Sequence, residues 1–128
     1  VLSRQANPTL DRTIFGSASG LQKGAYILAD AEDGKPEVIL IGSGSEVGLC
    51  VAAYEQLKNE GIKTRIVSMP SWELFEQQTE EYRETVLPQE VTARISVEQA
   101  STFGWARYTG IGGQRVGMKT FGASAPLK

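Results

Sequence analysis

Apolar positions along the chain recur in two rhythms, and their alternation outlines the fold. Val38-Ile39-Leu40-Ile41 is an unbroken apolar run rich in β-branched residues. Such a strand is buried on both faces, as in the middle of a sheet. Val47, Cys50, Val51, Tyr54 and Leu57 instead fall at helical spacing and share one face. Gly61 follows that helix as a natural C′ residue. The pattern predicts strands over Ala25–Asp30, Glu37–Ile41, Ile62–Ser68, Thr92–Glu98 and Gln114–Met118. Short helices are expected after Pro70-Ser71, carrying Trp72, Leu74 and Phe75, and after Thr79, with Glu80 and Glu81 in the first turn. The second of these ends by Pro88, and a third short helix falls within Ser101–Tyr108. Strands alternating with helices indicate an α/β fold with a mostly parallel sheet. The turn at Glu32-Asp33-Gly34-Lys35-Pro36 allows an antiparallel pairing of the first two strands, which makes the sheet mixed. Residues 1–24 read as a connector, with a small, flexible stretch at Gly16-Ser17-Ala18-Ser19-Gly20.

Composition narrows the function more than the fold. A chain of 128 residues with 41% apolar content suits one domain with one core. Thirteen basic and 15 acidic residues leave a net charge of -2, which offers no footprint for nucleic acid or for an anionic membrane. No apolar run is long enough to span a bilayer. The absence of histidine removes Ser-His-Asp triads, Cys-His pairs and histidine metal sites. The single cysteine, Cys50, fits a reducing compartment. The chain opens on Val1-Leu2 without an initiator Met and closes on Pro126-Leu127-Lys128, so both ends read as cut from a larger enzyme.

Candidate chemistry is sparse. Gly42-Ser43-Gly44-Ser45-Glu46 joins a strand to a helix N-terminus, the arrangement by which many proteins cradle phosphate. It has neither the third glycine of the dinucleotide fingerprint in register nor the Gly-Lys-Ser/Thr ending of a P-loop. The alternative is a capping box between Ser43 and Glu46, which places an acid where a phosphate would sit. Glu98, at a strand end, is open to a general-base role or to an interface or hydrogen-bonding one. Cys50, on the apolar helix face, reads as buried and inert. Trp72, Phe75, Phe103, Trp105 and Tyr108 read as core or interface anchors, with no basic stripe between them for base stacking. Arg4, in Ser3-Arg4-Gln5, presents a fork suited to phosphate or carboxylate, and equally to a structural ion pair or open solvent.

Six segments, in order, resemble transketolase. They are Val1-Leu2-Ser3-Arg4-Gln5, Lys23-Gly24-Ala25-Tyr26-Ile27-Leu28, Ile41-Gly42-Ser43-Gly44-Ser45-Glu46-Val47, Arg65-Ile66-Val67-Ser68-Met69-Pro70, Tyr82-Arg83-Glu84-Thr85-Val86-Leu87-Pro88 and Phe121-Gly122-Ala123-Ser124-Ala125-Pro126. The resemblance implies a three-layer α/β/α domain around a mixed, mostly parallel five-stranded sheet. It implies the end of the middle domain at 1–5, a linker at 6–24 and the C-terminal domain at 25–128, stopping before the family's last helices. The parent activity it implies is transfer of a two-carbon ketol unit from a ketose phosphate to an aldose phosphate, in the pentose phosphate pathway or the Calvin cycle. The implied cofactors, thiamine diphosphate with Mg or Ca, bind in the other domains, so this segment is expected to be inactive alone. Arg4 matches the family's sugar-phosphate-binding arginine, while Ala6 replaces the Asn of many members. The implied partners are the remaining transketolase domains, a second subunit of a homodimer and sugar phosphates, in the cytoplasm or plastid stroma. A related thiamine-dependent enzyme (a 2-oxo acid dehydrogenase β subunit or deoxyxylulose-phosphate synthase) is the nearest alternative. A stand-alone nucleotide or anion module using residues 42–48 is a further one.

Overall fold

A computed structural model describes residues 6–120. Five strands, β1 (Tyr26–Ala29), β2 (Val38–Gly42), β3 (Thr64–Ser68), β4 (Arg94–Ser101) and β5 (Gln114–Met118), form one sheet in the order β1-β3-β2-β4-β5. Strands β3, β2, β4 and β5 run parallel, and β1 lies antiparallel against β3. The mixed, mostly parallel sheet is as expected. The anticipated pairing of β1 with β2 is not: β3 lies between them. Both edges of β2 are taken by parallel strands, β3 and β4, which leaves none for a hairpin partner. The α1 (Val47–Asn59) crossover returns the chain beside β2 as β3. Strand β1 then takes the outer edge, where Asp30 reaches Arg65 of β3.

Alternate residues of the strands feed two cores. Tyr26, Leu28, Leu40 and Ile66 face α1 and meet Cys50 and Tyr54, with Val47, Val51 and Leu57 packed at their margin. Ile39, Ile41 and Val67 face the opposite side, beneath α2 (Trp72–Glu76), α3 (Glu80–Val86) and α4 (Ala106–Thr109). The result is three layers, α/β/α. Helix α1 ends as its sequence predicts: Gly61 has φ +78°, its N–H donates to Lys58 O at 3.0 Å, and Ile62 N–H donates to Leu57 O at 2.9 Å. This is a Schellman motif. Ser71 and Thr79 cap α2 and α3, their hydroxyls accepting from Leu74 N at 3.3 Å and Tyr82 N at 3.2 Å.

Three boundaries need correction. Strands β3 and β4 each start two residues later than predicted, and β4 runs to Ser101, with an irregularity against β5 between Val97 and Ser101. Helix α4 occupies only Ala106–Thr109, because Gly104, at φ +82°, turns the chain before it. Ahead of β1, Gly16 N–H donates to Leu28 O at 2.7 Å, and a 3-10 turn spans Ala18–Lys23.

Candidate functional site

The sheet reverses its direction of winding between β2 and β4. The step from β2 to β3 carries α1 on one face, and the step from β3 to β4 carries α2 and α3 on the other. Open α/β sheets take ligands at the carboxyl ends of strands at such a reversal. The glycine-rich turn stands there, with Gly42 closing β2 and Gly44–Glu46 forming a 3-10 turn into α1. The capping box between Ser43 and Glu46 does not form: Ser43 makes no side-chain cap bond. The intervening 3-10 turn uses the Ser43 carbonyl instead, which accepts from Glu46 N at 3.2 Å. The Glu46 carboxylate accepts from the Ser45 hydroxyl, its neighbour. Glu46 is only 9% exposed and lies beside the first turn of α1. Its negative charge complements the helix dipole, as an anion would. A carboxylate in that place opposes a diphosphate, so the turn does not fit thiamine diphosphate or a nucleotide. Among the described residues no group of three or more Cys, Asp or Glu side chains could hold a metal ion.

The well-ordered polar groups elsewhere serve the fold. Arg65, with its side chain 5% exposed, donates from Nε and Nη2 to the two Asp30 carboxylate oxygens at 2.9 and 2.8 Å. Its Nη1 donates to Thr85 O at 2.7 Å and Val86 O at 3.1 Å, and Nη2 also reaches Gly34 O at 3.3 Å. This single guanidinium ties β3 to the β1–β2 turn and to the carboxyl end of α3. Arg94 works similarly on β4, donating to Val91 O and Pro88 O at 2.8 and 2.7 Å and to Tyr108 O at 2.8 Å. Glu76 accepts from Tyr108 Oη at 2.9 Å and pairs with Arg83 at 3.2 Å. Burial, aided by the Glu76 hydrogen bond, pushes the Tyr108 phenol up to about 12. None of Asp30, Arg65, Arg94 and Glu76 stands out in the sequence as a candidate site residue. The one available signal was a pair of arginines inside otherwise half-apolar strands.

The remaining candidates resolve individually. Cys50 is buried, and its thiol is raised to about 12 by burial, with the Glu46 charge adding to it, so it is no nucleophile. The Glu98 carboxylate accepts from Ala100 N at 3.2 Å, a local turn bond. Trp72, Phe75, Trp105 and Tyr108 form an edge-to-face cluster, with the two tryptophan rings 5.0 Å apart at 90°. Phe103, expected to anchor either the core or an interface, is not in the core: it is 88% exposed, in the loop that Gly104 turns. Arg4 and the segment Phe121–Pro126 lie outside the described residues.

Residues 24–128 match the model of the transketolase-like TK C-terminal domain. The chain belongs to the transketolase family. It is 53% identical to transketolase 7 of Craterostigma plantagineum over 131 aligned residues, covering 100% of this chain and 19% of that relative. It is 52% identical to the transketolase of Halalkalibacterium halodurans, with 98% of this chain and 19% of the relative covered. Among solved structures, transketolase from Leishmania mexicana superposes with a TM-score of 0.77 at 43% identity, over 87% of this chain and 16% of that one. A Pichia stipitis transketolase variant in complex with fructose-6-phosphate gives 0.80 at 40% identity, over 94% of this chain and 17% of that one. The chain therefore spans about a fifth of the length of the curated transketolases it matches, and its three-layer fold is that of their C-terminal domain.

Proposed function

We propose that this segment is a non-catalytic module of a transketolase, whose full-length enzyme transfers a two-carbon ketol unit between sugar phosphates. The observation that carries this reading is the chemistry of the glycine-rich turn at the carboxyl end of β2. Beside that turn stands the chain's own buried Glu46 carboxylate, at the start of α1. Cys50 is buried, and no group of three or more Cys, Asp or Glu among the described residues could hold a metal ion. Thiamine diphosphate and its Mg or Ca would bind in the other domains, where they supply the carbanion chemistry. This segment would contribute docking surface to those domains and to the second subunit of a homodimer.

Arg4 is the exception that bears on substrate. Two transketolases of known structure from Pichia stipitis are in complex with fructose-6-phosphate and sedoheptulose-7-phosphate. A guanidinium fork suits such phosphates. In a full-length transketolase containing this segment, Arg4→Ala should raise KM for phosphorylated sugars about 10- to 100-fold, the worth of a charged hydrogen bond. Unphosphorylated acceptors should be unaffected, and an equal rise for both would remove the phosphate assignment. The purified 128-residue chain, supplied with thiamine diphosphate and Mg, should show no ketol transfer. Turnover above the host background would overturn the non-catalytic reading. Cytoplasm or plastid stroma is the proposed location. Relatives include a chloroplastic transketolase of Solanum tuberosum, and no helix among the described residues is long and apolar enough to cross a membrane.

A further inference from the structure

The carboxyl-end crevice is lined in part by the segment that precedes β1. Residues 7–24 run from the glycine-rich turn along the outer side of β1 and back to α2. Pro8 lies over Gly48, where an added Cβ would stand 3.5 Å from its ring. A cavity of about 400 Å³ remains between Asn7, Pro8, Leu10 and Arg12 on one side and Gly44, Ser45 and Ser68 on the other. Leu10 and Phe15 pack against the core on the α1 side of the sheet. Gly16 then bonds the outer edge of β1 through Leu28 O at 2.7 Å. The Lys23 ammonium rests 4.3 Å from the centroid of the Tyr82 ring, and Gly24 O accepts from Ser71 N at 3.0 Å.

The glycines in this segment sit where the chain touches the sheet. A Cβ at Gly16 would stand 2.5 Å from Ile27 O, and one at Gly20 would stand 2.3 Å from Cγ of Tyr26. Gly24, at φ +79°, is pressed against the backbone of Ser71 and Phe75. A tether free to move has no need of backbone-distance contact at three places, and any side chain there would hold it off the sheet.

We propose that residues 7–24 are a seated strap, not a hinge. The strap closes the outer edge of β1, which would otherwise offer unpaired backbone to another chain. It also walls one side of the crevice beside the glycine-rich turn. Gly16, Gly20 and Gly24 are its positioning residues, and they hold it down by what they lack.

Hydrogen exchange and limited trypsin digestion of the 128-residue chain test this, with a peptide of residues 1–24 as reference. The Gly16 amide should exchange about 100-fold or more slower than in the peptide. Cleavage after Arg12 and Lys23, the two tryptic sites in the strap, should slow by a similar factor. Gly20→Val should return all three to peptide-like rates while the Ile41 and Val67 amides stay protected. Peptide-like rates in the unmodified chain would overturn the proposal, as would a Gly20→Val chain with Gly16 still protected. If Gly20→Val unfolds the whole chain, the unmodified chain's rates decide, together with Gly20→Ala as the smaller insertion.

Discussion

Two side chains show how much of this domain depends on single buried groups. Arg65 places all its donors on Asp30 and on three backbone carbonyls. Removing one partner of such a pair leaves a charge in the interior, which costs about 3–5 kcal/mol. Asp30→Ala is expected at the low end, about 3 kcal/mol, because Asp30 is partly exposed and the carbonyls remain. Arg65→Lys should also destabilise, since an ammonium cannot reproduce the fork. Urea denaturation measures both, and a loss under about 1 kcal/mol for Asp30→Ala would show the pair to be dispensable. Cys50 and Tyr108 set the alkaline limit. In the unfolded chain their protons leave near the ordinary values of 9 and 10, whereas in the fold both are held to about 12. Between those values the unfolded state binds fewer protons, so stability falls as pH rises from about 9 towards 12. Urea midpoints at pH 8 and pH 11 should show this fall, smaller in Cys50→Ala, and Cys50 should resist thiol reagents until the chain unfolds. A flat profile would contradict the buried placement. Cys50 was legible in the sequence from its place on an apolar helix face. The partnership of Arg65 with Asp30 was not, because 35 positions separate them and no local pattern marks a pair formed only by strand order.

At the level of elements, the caps separate what motif reading can and cannot do. Ser71 and Thr79 each stand just before a helical run and make the cap bond that their position predicts. Ser43 has the same look and the favoured Glu three residues later, yet makes none. The difference is the 3-10 turn at Gly44–Glu46, which delays α1 by three residues. Ser71→Ala and Thr79→Ala should each cost about 1 kcal/mol. Ser43→Ala should stay within about 0.5 kcal/mol. Equal losses at all three in urea titrations would mean that Ser43 caps after all. The five strands and four helices were themselves legible from periodicity and turn residues. Their ends were less so where glycines or register shifts intervene, as at Gly104 and between Val97 and Ser101.

At the scale of the molecule, the α/β layering followed from the order of elements, but the strand order did not. A short turn between two strands favours a hairpin locally, and here the parallel crossover strands β3 and β4 take both edges of β2 instead. The crevice at the carboxyl ends was legible as a glycine-rich turn, and the Glu46 carboxylate beside it was anticipated in sign though not in bonding. Its lining by Asn7, Pro8, Leu10 and Arg12 was not, since no local pattern ties that stretch to the turn it meets. Arg65 bears on how the chain reaches this state. Its two docking partners, the β1–β2 turn and the end of α3, come from stretches of sequence on either side of its own strand. A half-assembled form with β3 in place but α3 or the turn undocked would hold a guanidinium starved of acceptors. Such forms are penalised wherever they arise on the folding route, so the pairing favours a chain that passes between unfolded and native in a single concerted step.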